Sequence, residues 1–352
     1  MTLKYRFLVG ARAILAIFMA VTCHLASAQN WPNRPIRLVV ASAAGGVTDV
    51  VARLVAQPLG EVLGQPVVVD YKPGAGGILG TDIVAKAPPD GYTLLIFVDA
   101  NTIFPSTSKV LNHDPATSFT PISLLARGSH VLVAHPSVPA NSLRELIGAV
   151  RQNPKDFSAA LPSYGGAQHL ALEMIKVAAG LDITPIPYKG GAPAVVDVVG
   201  GQVKLGLLGM APALPHIKSG KLKAIAVTGA SRSAVLPNVP TLAESGLAGF
   251  ATSAWLGMVA PAGTPAPVVA RIHAELVKIM QQASVIEKLA SIGMDNATSA
   301  TPDDMARMIR DELVRWPAVV KAAGITPEYA HAAAPQHHFH HIGPATSRLL
   351  RL

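Results

Sequence analysis

The stretch LVVASAAGGVTDVVAR, residues 38–53, decides the fold. Leu38, Val39 and Val40 form a continuous apolar run, the pattern of a strand covered on both faces of a parallel sheet. Gly45 and Gly46 follow, where the backbone turns with positive φ or comes close to a ligand. Thr48 or Asp49 is then placed to cap a helix carrying Val50, Val51, Leu54 and Val55. The free N–H groups of a first helical turn, with the helix dipole behind them, form an anion site built of backbone.

The rest of the chain repeats this grammar. Strands are expected at 36–40, 67–70 and 92–98, alternating with helices at 50–63 and 78–86, which is the order of a parallel sheet with right-handed crossovers. Phe119 to Ala134 reads as one long extended stretch, with Gly128 in its middle, that crosses to a second lobe. A second α/β unit follows, with strands at 157–160, 183–187, 203–208 and 222–227 and helices at 143–151, 168–179, 194–199 and 213–218. Ser253 to Val259 is extended and apolar and crosses back, and helices at 268–282, 285–291 and 302–323 complete the body. Two α/β lobes joined by two crossings describe a clamshell: lobe 1 from 29–126, lobe 2 from 127–253, and a return to lobe 1 over 254–330. The loops Ala43 to Asp49 and Ser163 to His169 share one form, a strand end, paired glycines and a helix start. Facing each other across the cleft, they offer two sets of backbone donors to one small anion.

Composition excludes several functions. Half of the 352 residues are apolar, enough for two cores. The net charge of +8 has its excess at the two ends, where Lys4, Arg6, Arg12, Arg348 and Arg351 lie among no acids. No basic run interleaved with aromatics occurs, so nucleic acid is not an expected partner. Residues 1–28 read as an export signal: a charged start, an apolar core from Ala13 to Val21, and Ala26-Ser27-Ala28 as the cleavage site, with a periplasmic mature chain beginning at Gln29. Cys23 is the only cysteine, and its flanks fit a lipoprotein signal poorly, so cleavage after Ala28 leaves no thiol. Residues 331–352 form a His-rich tail without apolar periodicity and are expected to be disordered. Its histidines lack an acid or cysteine co-ligand, and no specific metal site is assigned.

Enzyme signatures are missing. Gly74-x-Gly76-Gly77-x-x-Gly80 has the wrong spacing for a dinucleotide loop, and neither a P-loop nor a G-x-S-x-G elbow occurs. His169 near Ser163 raises a hydrolase as a remote alternative, but no acid is placed to orient it. Asp99 and Asn101 end the third strand at the edge where parallel sheets bind ligands, and both are candidate contacts. Trp255 is read as hinge core, Lys189 as a rim residue, and Asp49 as a cap.

Nine segments, in order, carry a resemblance: WPNRPIRLVV (31–40), AAGGVTDVVAR (43–53), LGQPVVVDYKPGAGG (63–77), PDGYTLL (89–95), HLALEM (169–174), PYKGGAPAVVDVVGGQV (187–203), GKLKAIAVTG (220–229), RSAVLPNVPTLAESG (232–246) and APAGTPAPVV (260–269). The chain resembles the Bug-type periplasmic solute receptors of tripartite tricarboxylate transporters. The resemblance implies a type II periplasmic binding-protein fold, no catalysis, no cofactor, and a small organic carboxylate held by backbone N–H groups, hydroxyls and waters in place of an arginine fork. It implies a monomer that delivers its ligand to membrane transporter subunits, the alternative being a membrane sensor. The family's first anion loop maps onto Ala43, Ala44, Gly45, Gly46, Thr48 and Asp49, and its second onto Ser163, Tyr164, Gly165, Gly166 and Ala167. Three departures are expected to alter the ligand. Ala41-Ser42 stands where the family has Pro-Phe. The second loop carries bulky Tyr164, and Gly166 where a hydroxyl is usual. Leu207-Leu208-Gly209 lacks the family's acid.

Overall fold

A computed structural model of the chain describes residues 31–327. The expected signal segment and the His-rich tail lie outside the described residues. Among the described residues no helix is long and apolar enough to cross a membrane.

The first lobe begins with β1 (Ile36–Val40), α1 (Val47–Leu63), β2 (Val67–Tyr71), α2 (Ile78–Ala85), β3 (Thr93–Val98), α3 (Asp99–Thr107) and β4 (Phe119–Gly128). The second lobe holds β5 (His130–Ala134), α4 (Leu143–Gln152), β6 (Ser158–Leu161), α5 (Ala167–Ala179), β7 (Thr184–Pro187), α6 (Gly191–Val199), β8 (Leu205–Gly209), α7 (Met210–Lys218) and β9 (Lys223–Val227). The chain returns through β10 (Ala254–Pro261), α8 (Ala266–Met280), α9 (Ala283–Ser291), β11 (Met294–Asn296) and α10 (Pro302–Ala322). Two sheets result, with orders β11-β4-β10-β3-β1-β2 and β7-β6-β8-β5-β9. In the first, Leu38 lies opposite Val69 and Leu94 in parallel register. Apolar clusters cover the first sheet, one joining α1 and α8 to β1, β3 and β10, another joining Met305 and Ile309 of α10 to Phe97 and Trp255. The uniform burial of β1 and β3 explains their unbroken apolar runs.

β1 pairs with β2 and β3 in parallel, as expected, and the sheets become mixed where the crossing strands enter. β10 runs antiparallel to both β3 and β4, and β5 antiparallel to β8 and β9, because these strands carry the chain between the lobes. The expected single strand from Phe119 to Ala134 is two strands, and Ser129 alone separates the sheets. α3 was not expected. Asp-Ala-Asn-Thr-Ile-Phe-Pro-Ser-Thr is a poor helix sequence, yet Ile103 and Phe104 are buried and the Val98 N–H donates to Asn101 Oδ1 at 2.8 Å, fixing the first turn. α1, α6 and α7 each begin three residues earlier than expected, because glycines 46, 190 and 209 take the N-cap positions.

The two crossings are tied to each other at Thr228. Its hydroxyl accepts the His130 N–H at 3.0 Å and donates to the Thr252 carbonyl at 3.1 Å, while its own N–H donates to the His130 carbonyl at 3.0 Å. Thr228 is fully buried, so nothing from solvent replaces these bonds. Thr228→Val keeps the shape and orphans both partners. It should cost about 2 kcal/mol of stability in urea unfolding, and an unchanged midpoint would show that other contacts hold the crossings together.

Candidate functional site

The carboxyl ends of β1, β2, β3, β6, β7 and β8 point toward the cleft, and the helices that follow them start there. Six helix starts line one cavity of about 120 Å³: Gly46 to Thr48 of α1, Gly77 before α2, Val98 to Asn101 at α3, Gln168 of α5, Gly190 and Gly191 at α6, and Gly209 and Met210 at α7. No side chain caps α1, α2, α5, α6 or α7. Each such start presents orphan N–H groups and the positive end of a helix dipole. Among the described residues no lysine or arginine lines the cavity, and the ionisable residues that do are Asp99 and His130. The walls therefore favour an anion through backbone alone.

The lobes are closed over this cavity. The Ala43 N–H donates to the Lys189 carbonyl at 3.0 Å, and the Thr107 hydroxyl donates to the Gly165 carbonyl at 2.9 Å, each bond joining one lobe to the other. Behind the cleft, Ile103, Trp316 and Val319 of the first lobe pack on Ala167 and Leu170 of the second.

Of the residues expected at the site, Gly46, Thr48, Asp99, Asn101 and Ser163 line the cavity. Ala43, Ala44, Gly45, Tyr164, Gly165, Gly166 and Ala167 do not. Ala44 and Gly45 are exposed at the rim, and the two glycine loops share a local geometry that explains the split. Gly45 has φ 86° and Gly165 φ 69°, while the N-caps Gly46 and Gly166 are extended. In each loop the third helical residue reaches back for the N–H before the cap. Asp49 accepts the Gly45 N–H at 2.7 Å, and His169 Nδ1 accepts that of Gly165 at 3.0 Å. Asp49 is thus not the cap; neither is Thr48. Burial works against its charge, but the Tyr71 hydroxyl, the Gly45 N–H and Arg53 hold its pKa below the ordinary carboxylate value. Of the two uses expected for the first-loop glycines, Gly45 takes the positive φ, and Gly46, extended, lines the cavity.

Asn101 lines the cavity but its amide is used internally, accepting from Val98 and donating to Thr81 Oγ1 at 3.0 Å. Tyr164 stacks on His169 with ring centroids 4.3 Å apart instead of reshaping the cavity. A Cβ on Gly166 would fall 2.4 Å from Ser163 Oγ, so the Ser163 hydroxyl occupies the space a side chain at 166 would take. Glycine at 209 lets α7 start against α1, since a Cβ there would meet Val47 Cγ2 at 2.6 Å. Lys189 is exposed.

The residues that sequence reasoning missed are of two kinds. Gly76, Gly77, Gly190 and Gly191 sit on strand–helix turns of the same form as the two loops chosen, and that rule would have found them. His130 and Gln168 had no local signal; Ala41 and Ser42, named only as a departure from the family pattern, line the cavity, and so does Trp255, read as hinge core. Ser42 Oγ, His130 Nε2 and Trp255 Nε1 are buried polar atoms with no hydrogen-bond partner among the described residues. Such atoms are costly unless something bonds to them.

Asp99 and His130 face each other across the two lobes, His130 Nε2 lying 3.7 Å from Asp99 Oδ2. Burial pushes Asp99 up to about 7; the N–H groups of Ala100 and Trp255 pull the other way, and the Glu312 charge adds to the rise. Burial alone pushes His130 down to about 4. The consequences for stability have opposite signs. Between pH 3.8 and about 7 the native state keeps the Asp99 proton that the unfolded chain has released, so stability falls as pH rises. Between about 4 and 6.5 the unfolded chain binds a proton that buried His130 refuses, so stability rises with pH. In ligand-free protein the two largely cancel. Relative to wild type, His130→Phe should make stability fall from pH 4.5 to 6.5, and Asp99→Asn should make it rise. Denaturant midpoints across that window measure both, and equal slopes in the two variants would refute the assignment.

Comparison with known proteins agrees with this architecture. Residues 51–325 match the family described as tripartite tricarboxylate transporter family receptor. The protein BugT of Bordetella pertussis is 37% identical over 316 residues, covering 89% of this chain and 97% of BugT. The solved structure of the periplasmic binding protein BugD superposes with a TM-score of 0.82 at 38% identity, covering 85% of this chain and all of that one. An R. palustris protein, Rpa4515, solved with adipate gives 0.82 at 36% identity over 85% of this chain and 100% of its own. MatC from Rhodopseudomonas palustris, solved with bound malate, gives 0.76 at 33% identity over 82% of this chain and 100% of its own. The two-lobed chain, with its cleft of uncapped helix starts, belongs to the tripartite tricarboxylate transporter receptor family.

Proposed function

We propose that this chain is a periplasmic receptor that captures a small organic carboxylate between its lobes and presents it to the membrane subunits of a tripartite transporter. The observation that carries the reading is the cavity walled by six helix starts with no lysine or arginine among its lining residues. Backbone N–H groups and dipole ends suit a carboxylate, and the Thr48, Ser163 and Ser42 hydroxyls and the Trp255 indole N–H supply further donors. Similarity to receptors solved with adipate and malate supports the same ligand class. The periplasm is supported by the BugD likeness and by the export signal read in residues 1–28. Catalysis is disfavoured: the Nδ1 of His169, the histidine nearest Ser163 in the loop, is held by the Gly165 N–H, so this nitrogen is not free to serve as a base.

Closure is the proposed signal. Gly46 and Thr48 come from one lobe, Ser163 and Gly191 from the other, so a ligand touching all four gains its full contacts only in the closed state. The membrane partner then reads the closed shape.

Two measurements test this. A thermal-shift and calorimetric series over mono-, di- and tricarboxylates should find a ligand of micromolar or tighter affinity, about −8 kcal/mol, and saturation at 100 times the dissociation constant adds about 2.7 kcal/mol of stability. Response to sugars or cationic peptides but to no carboxylate would sink the reading. The second test is Gly46→Val. Its Cβ would meet nothing nearer than Gly191 N at 3.9 Å, and Gly46 has φ −85°, so the fold accommodates the change. The branched side chain enters the cavity instead. Binding and the ligand-dependent fall in radius of gyration should both vanish while the unfolding midpoint holds. An unchanged radius in saturated wild type would refute closure.

A further inference from the structure

The gap between Asp99 and His130 has a definite chemistry. Asp99 is 6% exposed, and one carboxylate oxygen, Oδ1, takes the Ala100 N–H at 2.7 Å. The other, Oδ2, faces His130 Nε2 at 3.7 Å, too far for a hydrogen bond. His130 is 1% exposed, and its Nδ1 lies 3.2 Å from the Gln168 amide nitrogen. With that amide donating to Nδ1, the proton of the neutral ring is on Nε2, which is buried, without a partner, and aimed into the cavity. An acceptor and a donor thus stand side by side, one from each lobe, and neither satisfies the other.

One small group answers both. An oxygen about 2.8 Å from each atom closes a triangle over the gap. It must donate to Oδ2 and accept from Nε2–H, and a hydroxyl does both. With Asp99 ionised, as it is above its titration near 7, a carbonyl or carboxylate oxygen only accepts and meets the Asp99 charge. An ammonium only donates and meets the Nε2–H. A methylene leaves the buried His130 Nε2–H unpaired. We propose that the ligand is a hydroxy acid, and that Asp99 Oδ2 and His130 Nε2 read its hydroxyl across the closed cleft. The inference rests on the carboxylate reading above and deepens it: Asp99 and His130 become the residues that set specificity.

The test is calorimetry on the full chain at pH 8, above the Asp99 titration near 7, with matched acids: propionate and lactate; succinate, malate and aspartate; glutarate and 2-hydroxyglutarate. At the chain length that binds, the hydroxy acid should exceed its parent by about tenfold or more, because the parent leaves the buried Nε2–H unsatisfied, and aspartate should not exceed succinate. Asp99→Asn retains an acceptor for the Ala100 N–H and turns a donor toward the gap. His130→Phe removes the ring donor. In each variant the ratio of hydroxy-acid to parent-acid affinity should collapse toward unity, whatever the change in absolute affinity. Hydroxy and parent acids binding within twofold in wild type, a preference for the amino acid, or a preference surviving both substitutions would overturn the proposal and leave the carboxylate reading standing. Binding by none of the acids would overturn both.

Discussion

Unpaired N–H groups at helix starts are the constraint on which this molecule turns. A helix leaves its first backbone donors without intrahelical partners, and a buried donor without a partner is costly. Here six helices begin at one cavity, five of them uncapped by any side chain. The donors face an open cavity, which is the space the proposed carboxylate would fill. Capping them internally would stabilise the empty protein and remove its site. Asp49 and His169 mark the limit of that economy: each satisfies the donor just outside its helix, at Gly45 or Gly165, and leaves the donors within.

Two lobes are needed because one sheet cannot surround a small ligand with helix starts. The mixed sheets follow from this. β5 and β10 lie antiparallel within their sheets since they carry the chain from one lobe to the other, and Thr228 holds the crossings side by side. The seam between the lobes is narrow in polar terms, with single hydrogen bonds such as Ala43 to Lys189 and Thr107 to Gly165, so no large buried ion pair must be broken for the cleft to open.

Asp99 is the exception in an otherwise anion-seeking cavity. It lies in the wall of an anion site, is raised by burial to about 7, and faces the uncharged imidazole of His130. The acid that the family resemblance would have put near Gly209, on the second lobe, is missing, and an acid stands on the first lobe instead. On the proposed reading, ligand choice rests on a few side chains, while the anion is held by backbone.

The sequence by itself determined the alternation of strands and helices, the two lobes and the family, because apolar runs, paired glycines and ordered motifs are local signals. It also marked Gly46, Thr48, Asp99 and Ser163, which sit at strand ends where parallel sheets open into clefts. Ala44, Gly45 and Tyr164 lie off the cavity wall, because whether a loop residue faces a cavity or its own helix depends on which neighbour claims its N–H or ring. It gave no sign of α3, whose poor helix sequence folds only because burial and the Asn101 contact outweigh propensity. Only the tertiary structure brought His130, from the crossing, beside Asp99, from the end of β3. They are separated by 31 positions in sequence and by 3.7 Å in space, and the closed cleft alone strips both of water so that their charges and unpaired atoms matter.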